Sequence, residues 1–250
     1  MGSLRGRKSM NNRFAQPKEI RAYLIDAMRN GEYASCEHLP AEKDLAEKLG
    51  ISRTMLRDVL GALDQEGFIT RRHGVGTVIN RHVLEVPCRM DIEVEFLDMI
   101  RESGFAAAVA SVQCSEGCAN QRIAQALHIA EGDPILRVTR LCTADGKPAI
   151  YCEDVIAKKL IHEEYTARDL KKPFFEFLRE KCGVLIYLDI TDLRPVAADA
   201  ALSEVFQIEA GTPLLNMEEV DFDINGDPIL YSNQYFADGF FRHTVLRKKL

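Results

Sequence analysis

Residues 41–67 read AEKDLAEKLGISRTMLRDVLGALDQEG. Leu45, Ala46 and Leu49 share one face of a short helix over 41–49, and Gly50 breaks it. Ser52 is a good N-cap for the next helix, whose Leu56, Val59, Leu60 and Leu63 form a single apolar stripe. Gly67 is its natural stop. Upstream, Ile20, Tyr23, Leu24, Ala27 and Met28 recur at helical spacing between Pro17 and Asn30-Gly31. Downstream, Phe68–Arg72 and Thr77–Asn80 flank His73-Gly74-Val75-Gly76, the pattern of a short β-hairpin.

Helix, helix, tight turn, helix, hairpin is the order of a winged helix-turn-helix. With the apolar stripe turned inward, the third helix presents Arg53, Thr54 and Arg57 outward. Two arginines four residues apart repel each other on an isolated helix, and a polyanion removes that penalty. An arginine at the front of such a helix can donate both arms of its fork to a guanine edge. Lys43 on the preceding helix can reach phosphate or a base. His73 and Gly74 at the wing tip leave room for close approach to a minor groove.

The 250 residues suit one large domain or two ordinary ones. At 46% hydrophobic and 28% charged, the chain can bury a core. The net charge of −6 hides an uneven distribution. Residues 1–83 carry +4 and residues 84–250 carry −10, so a basic front precedes an acidic body. No apolar run is long enough to span a bilayer, and Met1 to Phe14 lacks the apolar centre of a secretory signal. Seven scattered cysteines point to reduced thiols and a cytoplasmic location rather than a disulfide framework. Cys114 and Cys118 have no second pair or histidine cluster to make a metal site with them, and no cofactor motif is present.

The acidic body repeats itself. Ala126-Leu127-His128-Ile129, Gly132, Pro134-Ile135-Leu136 and Asp145-Gly146-Lys147-Pro148 return as Val205-Phe206-Gln207-Ile208, Gly211, Pro213-Leu214-Leu215 and Asn225-Gly226-Asp227-Pro228. Each copy reads as a helix end followed by a hairpin, so the expected fold is α+β with an antiparallel sheet. Residues 173–182 add a helix, with Phe174, Phe177 and Leu178 facing the sheet. Strand parity around Arg140 stays open: a two-residue turn sets it opposite Tyr151, and a three-residue turn opposite Ile150.

The segments Leu39–Ala46, Gly50–Arg57, Leu63–Ile69 and His73–Thr77 resemble the DNA-binding domain of GntR-type bacterial transcriptional regulators. That resemblance implies a homodimer on a palindromic double-stranded operator. It places Lys43, Ser52, Arg53, Thr54, Arg57, His73 and Gly74 at DNA contacts; Met55 departs from the small polar residue usual there. Gly132-Asp133-Pro134, Arg140 with Ala144-Asp145-Gly146, and Tyr235-Phe236-Ala237-Asp238 resemble the UTRA effector domain of the HutC branch, whose fold is related to chorismate lyase. The implied layout is a winged helix-turn-helix over 15–80, a linker over 81–89 and a UTRA effector and dimerisation domain over 90–250. The implied function is a repressor, not an enzyme, whose operator binding answers to a small-molecule effector; a ligand-processing enzyme on the lyase-like fold is the alternative. Members that take phosphorylated amino sugars carry two arginines on the first hairpin, where this chain has Arg140 and Cys142. Their remaining polar contacts fall at Cys152, Pro173, Phe175, Leu230 and Phe236, and near Glu95. Those losses argue against a phosphosugar, since phosphate needs several donors. A ligand with an apolar body and one charged handle fits Glu95, Arg140, Tyr151, Glu153, Tyr231 and Tyr235 as candidate contacts.

Overall fold

The computed structural model describes Phe14, residues 16–92 and residues 94–248. Apart from Phe14, the segment tested for a secretory signal lies outside them, as do Ala15 and residues 249–250 at the expected domain ends. The chain divides into two compact units, Met1–Ile92 with Thr244–Leu250, and Glu93–His243. Among the described residues no helix is long and apolar enough to cross a membrane.

The first unit holds helices α1 (Pro17–Arg29), α2 (Glu42–Leu49) and α3 (Arg53–Gln65) and the hairpin β1 (Ile69–Arg72) and β2 (Gly76–Ile79). The helical periods place Ile20, Leu24, Met28, Leu45, Leu49, Leu56, Leu60 and Leu63 in one core. Each such side chain contributes about 1.5–3 kcal/mol by leaving water. Gly50 closes α2 in the left-handed region, and Ser52 Oγ accepts from the Met55 N–H to start α3. Residues 37–39 extend the hairpin: the Leu39 N–H donates to the Thr77 carbonyl and the Ile79 N–H to the Glu37 carbonyl.

Residues 81–89 are built into this unit rather than strung out as a connector. They form α4 (Arg81–Leu84) and a short strand β3 (Cys88–Arg89). Val83 and Leu84 join the core. Arg81 donates to the carbonyls of Met28, Tyr33 and Cys36, satisfying acceptors that the end of α1 and the following loop leave open. Arg89 is buried, donates to the Glu66 carbonyl and pairs with Asp91. A returning segment completes the unit, with the Met90 N–H donating to the Thr244 carbonyl and Leu246 on the core.

Gly67 has φ +82°, and a Cβ there would lie 2.6 Å from Leu246 Cδ2. Gly67→Ala is therefore expected to lose about 1–2 kcal/mol of stability in urea unfolding, mainly from backbone strain. Adding Leu246→Ala should not restore it; recovery on doing so would place the cost in the side-chain clash instead.

The second unit is a six-stranded antiparallel sheet. Its strands are β4 (Ala107–Cys118), β5 (Pro134–Ala144), β6 (Lys147–Ala157), β7 (Leu188–Ala197), β8 (Pro213–Phe222) and β9 (Pro228–Ala237), in the order β4-β5-β6-β9-β8-β7. That order is symmetric about the β6–β9 pair, so the duplication read in the sequence is a duplication of structure. It extends further than the sequence motifs, to a strand and a capped helix before each hairpin. In the first copy Asn120 caps α6 (Gln121–Ala126) by accepting from the Ile123 N–H. In the second Asp199 caps α8 (Ala200–Phe206) by accepting from the Leu202 N–H. Gly132 and Gly211 both have positive φ and both donate backward, to the carbonyls of Ala119 and Ala198.

Each hairpin also carries the same bulge. The first turn is the two-residue Asp145-Gly146, with Ala144 opposite Lys147, but the register shifts between Cys142 and Thr143. In the second copy it shifts between Asp221 and Phe222. The residues opposite the shifts are Pro148 and Pro228. Proline has no N–H for the ladder, so the chain skips a residue there. Helices α6 and α8 pack on one face of the sheet. The other face packs against α7 (Phe174–Phe177) and the helical turn through Cys182. Phe174, Phe177 and Leu178 are buried there with Val138, Ile156 and Leu230, as expected. Helix α5 (Phe96–Glu102) brings Phe96 to the same side.

Candidate functional site

The exposed face of the first unit carries the expected cations. Lys43, Ser52, Arg53, Thr54, Arg57, His73 and Gly74 are all exposed, on α2, the start of α3 and the tip of the hairpin. Gly74 and Gly76 both have positive φ, which shapes the tip. One contact was not anticipated. Arg57 Nε donates to Glu42 Oε2 at 2.7 Å, and Arg71 Nη2 donates to Glu42 Oε1 at 2.7 Å. A single carboxylate on α2 thus joins α3 to β1. The hydrogen bond from Arg57, then that from Arg71, holds the Glu42 carboxyl below its usual range.

On the second unit the bulge decides which residues meet. It sets Arg140 opposite Cys152, an outcome that neither turn length allowed. Arg140, Cys152 and Asp154 then share the face covered by α7, while Tyr151 and Glu153 turn to the opposite face. Four of the six candidate effector contacts therefore lie away from Arg140. Tyr151 stacks on Tyr235, centroids 6.4 Å apart, and both pack with the α8 cluster. Tyr231 packs with α6 and donates to Glu218 Oε1 at 2.9 Å. Glu153 pairs with Arg137. Only Glu95 and Arg140 come together, in a small cavity lined also by Phe96, Asp154, Phe174, Glu219, Ser232 and Gln234.

The polar groups of this cavity form one network. Arg140 is 6% exposed and donates from Nη2 to Asp154 Oδ2 at 2.6 Å. Its guanidinium carbon lies 4.9 Å from the Phe174 ring centre and 5.9 Å from that of Phe96. Ser232 Oγ donates to Asp154 Oδ1 at 2.7 Å. Gln234 Nε2 donates to Glu219 Oε1 at 3.1 Å, and Thr191 Oγ1 to Glu219 Oε2 at 2.7 Å. Glu95 Oε1 accepts from the Phe175 N–H at 3.3 Å. Burial, reinforced by the charges of Asp189 and Asp154, pushes Glu219 up to about 7. Burial also raises Glu95, although Arg140 opposes it. The cluster sits at the pseudo-symmetry axis: Arg140 and Glu219 are the same position of the two copies, as Gly132 and Gly211 are. Asp154, Ser232, Gln234 and Glu219 escaped the sequence reading. Their signal was one or two polar residues on the inward face of a strand whose other inward residues are mostly apolar.

Among the described residues, no group of three or more His, Cys, Asp or Glu is placed to hold a metal ion. Burial raises Cys142 to about 11 and Cys152 well above a usual thiol.

A winged helix-turn-helix on one unit and a duplicated α+β sheet on the other define a two-domain protein of the winged-helix class. The model of bacterial regulatory proteins of the gntR family matches residues 16–79, and the UTRA domain model matches residues 102–241. The chain belongs to the GntR family of bacterial transcriptional regulators and carries a UTRA domain. The "Probable transcriptional regulator PhnF" of Escherichia coli is 24% identical over 216 residues, covering 86% of this chain and 88% of that one. The "Fatty acid metabolism regulator protein" of Vibrio vulnificus is 35% identical over 78 residues, so this chain spans only 28% of its length. The structure of YydK from Bacillus subtilis shares the fold, with a TM-score of 0.73 at 19% identity, over 94% of this chain and all of that one.

Proposed function

We propose that this chain is a cytoplasmic, homodimeric repressor of the HutC branch, bound to a palindromic operator and released by a small-molecule effector. The observation that carries the reading is the capped helix α3, which exposes Arg53, Thr54 and Arg57 beside a glycine wing. Lys43, Ser52, His73 and Gly74 complete the proposed DNA contacts. A gel shift on the intergenic DNA beside its own gene tests it. A shift that resists scrambled competitor is expected, and no sequence-specific shift would reject operator binding.

The proposed effector site is the cavity around Glu95 and Arg140. It has only about 20 Å³ of space open to water, room for one water molecule, so an effector must open it. That requirement couples binding to conformation, and an effector acts only by binding the two arrangements of the dimer unequally. Glu95, Asp154 and Glu219 face one guanidinium, which Asp154 already occupies. This lining disfavours phosphate and suits a ligand whose charged handle is cationic. Glu219 must ionise to meet such a handle, so an amine effector should bind more tightly at pH 8 than at pH 6. A thermal-shift screen of metabolites at both pH values checks this. Glu95→Gln should shrink the shift given by any amine hit; an undiminished shift removes Glu95 from the site. The enzyme alternative keeps one supporting observation, a buried acid near neutrality at Glu219. Turnover of a bound ligand is its test.

A further inference from the structure

Glu42 lies on the surface expected to meet DNA, where a carboxylate is repelled by every phosphate. Its side chain is 23% exposed, and each of its two oxygens accepts from a different cation. One cation belongs to α3 and the other to the strand leading into the wing. We propose that Glu42 is a specificity-determining positioning residue, aiming Arg57 at a base edge while lowering the affinity of the surface for any phosphate backbone. This inference rests on the proposed DNA-binding role of α3.

The geometry supports both halves. Glu42 engages Arg57 through Nε, so the two terminal nitrogens keep their donors for a guanine O6 and N7. A guanidinium fixed at Nε also has fewer orientations to lose on binding. Arg57 itself is 56% exposed in its side chain, so among the described residues Glu42 is the ion-pair partner that orients its fork. Arg71, tied to the same carboxylate, fixes the distance between recognition helix and wing. At the same time two cations share one anion, which removes about one charge from the attraction to phosphate. Sequence-independent affinity depends on that attraction.

The test uses the full-length protein with the charge removed and the shape kept, Glu42→Gln. A duplex is selected from a random library by the wild-type protein, and a scrambled duplex of the same composition serves as its partner probe. Affinities for both are measured across a salt series. The selected duplex should bind the variant more weakly, the scrambled duplex should bind it more tightly, and their ratio should fall roughly tenfold. The salt dependence on the scrambled duplex should steepen by about one ion. A merely structural role predicts parallel weakening on both probes with a lowered melting temperature. Parallel weakening or an unchanged ratio overturns the inference. If the wild-type protein selects no sequence at all, the DNA-binding reading falls and takes this one with it; selection by the wild type with an unaltered ratio in the variant removes Glu42 alone.

Discussion

Arg140→Met is expected to destabilise the protein by about 3–5 kcal/mol at pH 8, the usual cost of removing one partner from a buried ion pair. Whole domains are stable by only about 5–15 kcal/mol, so the variant should unfold at far lower urea concentration. Asp154 is 2% exposed and would keep only neutral donors, the Ser232 hydroxyl and the Cys152 thiol. Glu95 and Glu219 border the same cavity, and their repulsion would be unopposed. The loss should shrink as pH falls to about 5.5, because uncompensated buried carboxylates escape their penalty by taking up protons. Asp154→Leu added to Arg140→Met should recover most of the stability, since an apolar pair of similar volume can replace a buried salt bridge. A loss below about 1 kcal/mol at pH 8, or one that ignores pH, would show that the pair does not carry this part of the fold. The same reasoning makes Arg140 substitutions unsuitable as probes of ligand contact, because they act first on folding.

The wild-type protein should already show a milder form of this pH dependence. Glu219 keeps its proton in the folded state up to about pH 7, whereas the unfolded chain releases it near the ordinary glutamate value of 4.5. Between those values the native state binds more protons, so stability falls as pH rises and levels off above 7. The raised Glu95 and Asp189 act in the same direction. The lowered carboxyls, Glu42 and Glu218 among them, act oppositely, and their contribution is lost only in stronger acid.

What the sequence made legible follows the strength of its local signals. Helices α1 to α3 announce themselves because burial enforces a 3.6-residue period and because Ser52, Gly50 and Gly67 mark the ends. The duplicated hairpins are equally plain in their glycines and prolines. Strands β4 and β7 were not, and both lie at sheet edges. An edge strand has one paired side and weak burial, so its alternation is not enforced; β7 even tolerates Pro195. Extending the repeat backward from Gly132 and Gly211 would have reached the matched caps Asn120 and Asp199, and the strands before them. The face shared with Arg140 was not legible, for a sharper reason. A register error of one residue moves every side chain to the other face. The duplicated Pro148 and Pro228 hold the bulge signal; without it Tyr151 and Glu153 share a face with Arg140, and with it Asp154 does.

Arg57→Ala should weaken operator binding by about 1–3 kcal/mol and relax discrimination at one base pair, if Arg57 reads a guanine edge. Because Arg57 lies on the polar face of α3, outside the leucine core, its removal should leave the melting temperature nearly unchanged. The exposed ion pair lost with it contributes little to folding. Binding should suffer more than a single lost contact implies, because Glu42 then keeps only Arg71 as a named partner and turns a freer carboxylate toward phosphate. Arg57→Ala combined with Glu42→Gln should therefore recover part of the affinity without recovering the base preference. Titration of the operator and of duplexes altered one base pair at a time separates these two quantities. The acidic balance of the whole chain leaves little bulk charge to mask the loss. Equal affinity of wild type and Arg57→Ala for the operator would reject base reading by this arginine, and a uniform loss across all altered duplexes would reduce it to a phosphate contact.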